Sequence, residues 1–251
     1  MRILDLIPVI ETEGIAEAVE DRRKLGKLLD EETGGLIKLD VLSIDKGTAS
    51  IEGSYDEALN VPYILKKVRW AERNGYDAVV LDCFGDPGLD AAREIVEIPV
   101  IGANQAAIHM ASQLAGRFSI INILPETEYL IRSLIMKYGL MQNLASIRTI
   151  HVPVLELENN PELTVKKAVE AAEKAVLEDG AYSIVLGCTG MSPLVDAIKE
   201  HFNEIGVNVP IIEPLRAAIY TAVTLVLSGL SHSKAAYMTP RDKFRKIDFD
   251  I

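Results

Sequence analysis

Runs of apolar residues, each about as long as a β-strand, recur along the chain and alternate with helical patterns. They are Ile3–Ile7, Leu36–Ile44, Ala78–Cys83, Val100–Gly102, Phe118–Ile123, Ile147–Val152, Ser183–Cys188 and Val209–Ile212. The runs are rich in Val, Ile and Leu and barely alternate with polar residues, which is typical of strands buried on both faces of a parallel sheet. The sequence therefore predicts an α/β fold.

The segments between these runs carry apolar residues at helical spacing. The clearest example has Lys and Glu on its opposite face, and its apolar positions are Val165, Ala168, Val169, Ala172 and Val176. This pattern is typical of an amphipathic helix packed on a sheet. A last helix is predicted at about residues 214–229.

An internal repeat divides the chain. Asn74–Gly85 matches Asp179–Gly190 at an offset of 105 residues, and Ile98–Ala107 matches Val209–Ala218 at an offset of 111. Repetition of this kind indicates duplicated structural units. We therefore predict two pseudo-symmetric parallel-sheet α/β domains that arose by duplication, with an active site between them.

The repeat also suggests domain boundaries. Residues 1–115 are predicted to form the first half and residues 116–213 the second. The C-terminal helix and tail, about residues 214–251, are predicted to cross back and join the first half. The tail carries Arg241, Lys243, Arg245 and Lys246, which we interpret as a solvated basic end.

Composition and charge narrow the classes of function. With 26 Lys and Arg against 37 Asp and Glu, the formal net charge is −11, so nucleic acid is a poor partner. No run of about 18 apolar residues is present to span a membrane, and acidic residues near the start argue against a signal peptide. Two cysteines are too few for a disulfide framework. We expect a cytoplasmic protein that binds a small molecule.

The two cysteines are the main candidates for chemistry. Cys83 and Cys188 each end a predicted strand, and each is followed by one residue and a glycine. Ligands of open parallel sheets bind beyond the carboxyl ends of the strands, and free helix N–H groups there lower the pKa of a thiol. If the halves face each other, the two thiols flank one cleft from opposite sides.

Opposed thiols are suited to moving a proton between the two faces of a carbon atom. One thiolate removes a proton, the other thiol returns one, and backbone N–H groups stabilise the charge on the intermediate. The turns Phe84–Asp86 and Thr189–Met191 can supply such donors. Two alternatives remain open: the cysteines are buried structural residues copied by the duplication, or they form a disulfide.

Other residues are weaker candidates. Asn122, near the end of a predicted strand, either places an amide at the substrate or caps a turn. The loop Thr48–Asp56 either folds over the cleft or simply precedes a helix. Asp82 is expected to face away from the thiol of Cys83, because adjacent strand residues point to opposite faces. Glu213 is either a site acid or a simple strand-terminus residue, and we favour the second interpretation.

Cofactors and metals are not expected. The four histidines share no short motif with Cys, Asp or Glu, so no metal site is predicted. The sequence has no glycine-rich nucleotide-binding motif and no nucleophile elbow.

Four segments resemble a known family: Ala49–Glu57, Cys83–Glu94, Gly116–Ser119 and Gly187–Met191. Through them the chain resembles the aspartate/glutamate/hydantoin racemase superfamily, and within it the hydantoin and allantoin racemases. The resemblance implies an interdomain site, a two-base mechanism without a cofactor, and a homo-oligomer. It also implies catalytic roles for Cys83 and Cys188, and substrate contacts from Pro8, Phe84, Gly85, Thr189 and Gly190.

Three departures bear on the substrate. Ile7-Pro8-Val9 stands where hydantoin racemases usually have Asn-Pro-Asn, Thr189 stands where they tend to have Ala, and Asp82 replaces a small residue. Our expectation is a cofactor-independent racemase of 5-substituted hydantoins or related cyclic ureides. The alternatives are an amino-acid racemase of the aspartate or glutamate type, and a non-catalytic protein that binds small ligands.

Overall fold

Two parallel sheets of four strands form the framework of the protein. A computed structural model describes residues 1–157 and 159–245. The strands are β1 (Arg2–Ile7), β2 (Lys38–Ser43), β3 (Ala78–Leu81), β4 (Val100–Gly102), β5 (Phe118–Asn122), β6 (Leu144–Thr149), β7 (Ser183–Leu186) and β8 (Ile211–Ile212). The helices are α1 (Ala16–Glu32), α2 (Ser54–Arg73), α3 (Leu89–Ile95), α4 (Ala103–Ala115), α5 (Glu128–Lys137), α6 (Pro161–Leu177), α7 (Val195–Glu204) and α8 (Pro214–Leu227).

The two sheets have the same topology. The strand order is β2-β1-β3-β4 in the first and β6-β5-β7-β8 in the second, and every pairing is parallel. Ile3 pairs with Ala78 in the first sheet, and Phe118 pairs with Ser183 in the second. The predicted fold class, two pseudo-symmetric α/β units, is confirmed.

The last helix of each half packs against the sheet of the other half. Helix α8 contacts β3 and β4 of the first sheet, whereas α4 contacts β5, β7 and β8 of the second. The two helices also pack on each other, and their alanines lie in one core that includes Ile3 and Ile120 from the two sheets. Helix α8 thus contacts the first sheet, and the matching exchange of α4 was not predicted. The assignment of the C-terminal helix and tail to the first half remains a prediction. A domain boundary between residues 115 and 116 remains a prediction.

The bounds of strands β3, β6 and β7 differ from the predicted ones. Strands β3 and β7 end at Leu81 and Leu186, two residues before each cysteine, so the cysteines lie in turns. Strand β6 begins at Leu144, three residues before the predicted start. It is an edge strand whose residues are all partly exposed. Because it contains polar residues, only part of it is found as an apolar run. Strand β2, the equivalent edge of the first sheet, is also at least partly exposed.

The C-terminal tail packs on the first half before it reaches solvent. The Lys234 amine donates hydrogen bonds to the carbonyl oxygens of Arg93 and Val96, at 2.9 and 2.6 Å. These carbonyls lie at the C-terminal end of α3, where a cation complements the helix dipole. Residues 241–245 are exposed, as predicted. Lys246 and the residues after it lie outside the described part of the chain.

No helix within the described residues is long and apolar enough to cross a lipid bilayer.

We predict that the shared core makes the two halves unfold together. Ile219 on α8 is fully buried, so Ile219→Ala should cost about 2–5 kcal/mol and lower the midpoint of a single denaturant transition. Leu227→Ala, on the same helix but 62% exposed, should change stability by less than about 0.5 kcal/mol. Two separate transitions in either protein would contradict the shared core.

Candidate active site

Both cysteines line one cavity between the two halves. Cys83 follows β3 and Cys188 follows β7, each half-buried. The cavity has a volume of about 110 Å³ and is bordered by residues of both halves. The Cys83 sulfur accepts a hydrogen bond from the Gly85 N–H, and the Cys188 sulfur accepts one from the Gly190 N–H, both at 3.4 Å. The duplication has thus placed the same thiol turn on two walls of one cavity.

Five of the six residues predicted to contact the substrate line this cavity with the cysteines: Pro8, Phe84, Gly85, Thr189 and Gly190. Most of the remaining wall is aliphatic, formed by Ile7, Val9, Ile15, Val19, Ile51, Ile123, Leu130, Ile131 and Val154. Such a wall favours an apolar ligand group, since it offers few partners for a polar one.

Asn122, the sixth predicted residue, does not reach the cavity. Its side chain is fully buried. The amide donates to the Leu124 carbonyl and to Thr149 Oγ1, and its oxygen accepts a hydrogen bond from Thr127 Oγ1. The turn-building interpretation is therefore the one the structure supports, because every one of these partners lies within the second half. Thr127, which Asn122 holds, lines the cavity instead.

Burial has the largest effect on the pKa of both thiols. It raises the pKa of Cys188 to about 11, although the Gly190 N–H and the Arg22 guanidinium act in the opposite direction. Burial also raises the pKa of Cys83 well above its ordinary value, with further increases from Cys188, Asp86 and Asp82. Each thiolate is therefore a strong base when it forms.

A buried ion pair lines the cavity. Arg22 Nε of α1 donates to Asp82 Oδ2 at 2.7 Å, both side chains are almost fully buried, and both line the cavity. The Asp82 carboxylate is bonded to a helix residue, as expected, but it lines the same cavity as Cys83. The backbone oxygen of Asp82 accepts a hydrogen bond from Thr189 Oγ1 at 3.4 Å, which joins the two cysteine turns.

Gly187 occupies the repeat position equivalent to Asp82. A Cβ atom at Gly187 would lie 2.7 Å from the Ile121 carbonyl oxygen and 2.9 Å from Ile120 Cγ2. These distances leave no room for a side chain unless the backbone moves. The ion pair therefore has no counterpart at this position in the second half.

A buried carboxylate fixes the turn that carries Cys83. Asp86 accepts hydrogen bonds from the N–H groups of Asn104 and Gln105 at the start of α4, and from the Tyr138 hydroxyl at 2.7 Å. Burial raises the pKa of Asp86 to about 6, against the effect of these donors. The contact with Tyr138 ties the first cysteine turn to the second half.

Glu213 has the corresponding role at the start of α8. Its carboxylate accepts hydrogen bonds from the N–H groups of Leu215 and Arg216 and from Ser192 Oγ, at 2.7–2.9 Å. Since Ser192 follows the Cys188 turn, Glu213 both caps the helix and holds that turn. This confirms that Glu213 is a strand-terminus residue outside the cavity lining.

The loop before α2 closes one side of the cavity. Ser50 and Ile51 line it, and Glu52 Oε1 accepts a hydrogen bond from the Val154 N–H of the second half at 3.0 Å. The loop therefore bridges the halves over the cavity, in agreement with the functional interpretation of this segment. Asp56 accepts from the Glu52 N–H, so its carboxylate orders the loop.

Arg22 is a charged cavity residue that sequence reasoning missed. It lies on a charged helix and has no local motif, so no sequence signal separates it from the neighbouring arginine at position 23. In the described part of the chain, no group of three or more His, Cys, Asp and Glu residues is arranged to hold a metal ion.

The fold and the paired cysteine turns define a class, and comparison with known proteins agrees. Residues 12–222 match the family described as Asp/Glu/Hydantoin racemase, and the chain belongs to this family. It is accordingly an isomerase of the racemase type.

Named relatives lie within the same family. The chain is 39% identical to a hydantoin racemase of Paenarthrobacter aurescens, over 97% of this chain and 99% of that protein. It is 42% identical to a hydantoin racemase of Rhizobium meliloti, over 78% and 79% of the two chains. The solved structure of an allantoin racemase from Klebsiella pneumoniae has a TM-score of 0.88 at 35% identity, covering 99% of this chain and 97% of that one.

We predict that Tyr138→Phe destabilises the protein by about 1–3 kcal/mol, because a buried carboxylate loses a donor. The Tyr138 hydroxyl favours the charged form of Asp86, so its removal raises the pKa of Asp86 above about 6. The loss should therefore grow as the pH rises through 6, where wild-type Asp86 ionises. Denaturant unfolding at pH 5 and pH 8 measures it.

The matched control is Tyr129→Phe, which alters an 80% exposed tyrosine and should leave stability unchanged at both pH values. An equal loss for Tyr138→Phe at pH 5 and pH 8 would contradict the coupling to Asp86.

Proposed function

We propose that the protein racemises 5-substituted hydantoins or related cyclic ureides, with Cys83 and Cys188 as the two bases. The observation that carries this proposal is the pair of equivalent thiols on two walls of one cavity. The hydantoin and allantoin racemases among its relatives support the choice of substrate class.

The reaction follows from this geometry. One thiolate takes the proton from C5 of the ring, and the electron pair of the C–H bond moves onto the adjacent carbonyl oxygen. The opposite thiol then donates its proton to the other face of C5, and the electron pair returns to form the new C–H bond. Each turnover leaves the first cysteine as a thiol and the second as a thiolate.

The enolate oxygen needs hydrogen-bond donors. The backbone N–H groups of Phe84 and Thr189 belong to cavity-lining residues, and neither has an acceptor among the described residues. We assign them to this role. The Gly85 and Gly190 N–H groups point at the sulfur atoms and therefore stabilise the thiolates instead.

A cyclic ureide suits this cavity better than a free amino acid. The ring carbonyl makes C5–H more acidic than the α-carbon of an amino acid. The neutral ring also has a small free-energy cost of desolvation. A zwitterion would bring two charges into a largely aliphatic cavity, at a cost of several kcal/mol each unless paired. The cavity cation, Arg22, is already paired with Asp82, and the Thr189 hydroxyl is directed to the Asp82 carbonyl.

Loss of either base should abolish efficient racemisation. Cys83→Ala or Cys188→Ala should each reduce racemisation at least about 10³-fold, because one proton transfer loses its positioned partner. A single variant should still exchange the C5 proton of one enantiomer with solvent, which NMR in heavy water detects. Unchanged unfolding midpoints show that the variants are folded. Wild-type racemisation by Cys83→Ala would eliminate the two-base mechanism.

The apolar rim of the cavity should favour substrates with an apolar 5-substituent. Ile7 and Val9 replace the polar side chains usual in hydantoin racemases, and leaving a polar group unpaired costs about 1–3 kcal/mol. We therefore expect a higher kcat/KM for 5-benzylhydantoin than for allantoin, measured by polarimetry under the same conditions. Faster turnover of allantoin would remove the argument from the apolar rim.

L-Aspartate separates the remaining alternatives in the same assay. Activity on aspartate and not on hydantoins would assign the protein to the amino-acid racemases. Binding of a hydantoin without any exchange of its C5 proton would indicate a non-catalytic ligand-binding protein.

A further inference from the structure

The ion pair between Arg22 and Asp82 breaks the symmetry of the two thiol turns. Asp82 precedes Cys83 directly in the chain, and its carboxylate holds Arg22 against the cavity wall at 2.7 Å. The equivalent position before Cys188 is Gly187, where a Cβ atom would collide with the Ile121 carbonyl. The duplicated site therefore contains one buried dipole that has no partner at the equivalent position.

This dipole acts unequally on the two thiols, because Asp82 acts on both of them whereas Arg22 acts on Cys188. Arg22 is the positive group that acts on Cys188, where it opposes the effects of Asp82 and Glu52. The charged groups that act on Cys83 are all negative and comprise Asp82, Asp86 and the other thiolate. The Thr189 hydroxyl, bonded to the Asp82 carbonyl, holds the Cys188 turn beside the pair.

The other charges around Arg22 leave this dipole intact. Asp5 on β1 is fully buried, and neither of its carboxylate oxygens has a hydrogen-bond partner in the described structure. Burial and the Asp82 carboxylate raise the pKa of Asp5 well above its ordinary value, which favours its neutral form. Glu213 also faces Arg22, but it is held at the N-terminus of α8.

We propose that the Arg22–Asp82 ion pair makes the two thiols unequal, so that Cys188 loses its proton first and Cys83 retains its own. The pair is a positioning element: it orders the two proton losses and exchanges no proton with the substrate. Naming Cys188 the first base and Cys83 the first acid rests on the proposed function. The unequal proton affinity of the two thiols does not rest on the proposed function.

Site-resolved alkylation tests the inequality without any substrate. The intact protein is treated with iodoacetamide from pH 6 to pH 10, and mass spectrometry gives the rate at each cysteine. The thiolate is the reactive form, and one pKa unit corresponds to a tenfold change in its population. We expect Cys188 to react about tenfold faster than Cys83 at pH 8.

The double variant Arg22→Met/Asp82→Asn removes the dipole without changing the net charge. We expect the ratio of its two rates to fall at least about threefold below the wild-type ratio, while Asp86 still acts on Cys83. Arg22→Lys should keep the wild-type order. The matched control is Arg148→Met/Asp179→Asn, which removes another Arg–Asp pair, at 2.6 Å, that does not line the cavity. It should leave both rates unchanged.

Thermal unfolding of both double variants separates a structural role from an electrostatic one. A folded Arg22→Met/Asp82→Asn protein that keeps the wild-type ratio of rates would overturn the proposal, as would faster alkylation of Cys83 in the wild type. If the alkylation order is as expected but no hydantoin is racemised, the proposed function fails while this inference stands.

Discussion

The exchange of α4 and α8 between the halves is the constraint on which the site depends. Each helix starts within two residues of the end of the last strand of its own half and packs on the sheet of the other. Because each helix is tied to both sheets, the carboxyl ends of β3 and β7 are held facing a common space. Neither half can form this cavity by itself, since its walls come from both.

The helix starts also connect this packing to the chemistry. Asp86, three residues after Cys83, caps α4, and Glu213, which caps α8, holds Ser192 beyond Cys188. Each thiol turn is thus bonded to the start of an exchanged helix. The two halves solve the same problem with different residues: a cap from the cysteine turn in one, and a cap from the strand end in the other. Duplicated sequences can diverge in this way while the geometry is kept.

The sequence predicts the features that depend on local pattern. Buried strands such as β1, β5 and β7 are continuous apolar runs, and the repeat locates the cysteine turns in equivalent places. The predicted start of the edge strand β6 is three residues too late, because exposed edge strands carry polar residues. Asn122 looked like a site residue by its place at a strand end, but its amide is used within its own turn. Arg22 and the exchange of α4 depend on contacts between distant parts of the chain, which no local pattern contains.

The most direct test of the two-base account follows hydrogen at C5 during a single conversion. One enantiomer of protonated 5-benzylhydantoin is converted in heavy water, and NMR and chiral chromatography give the isotope in each enantiomer at early times. Two opposed thiols predict deuterium in the product and hydrogen in the remaining substrate, after subtraction of exchange without enzyme. Product that retains the original hydrogen, as expected when one base serves both faces, would contradict the account.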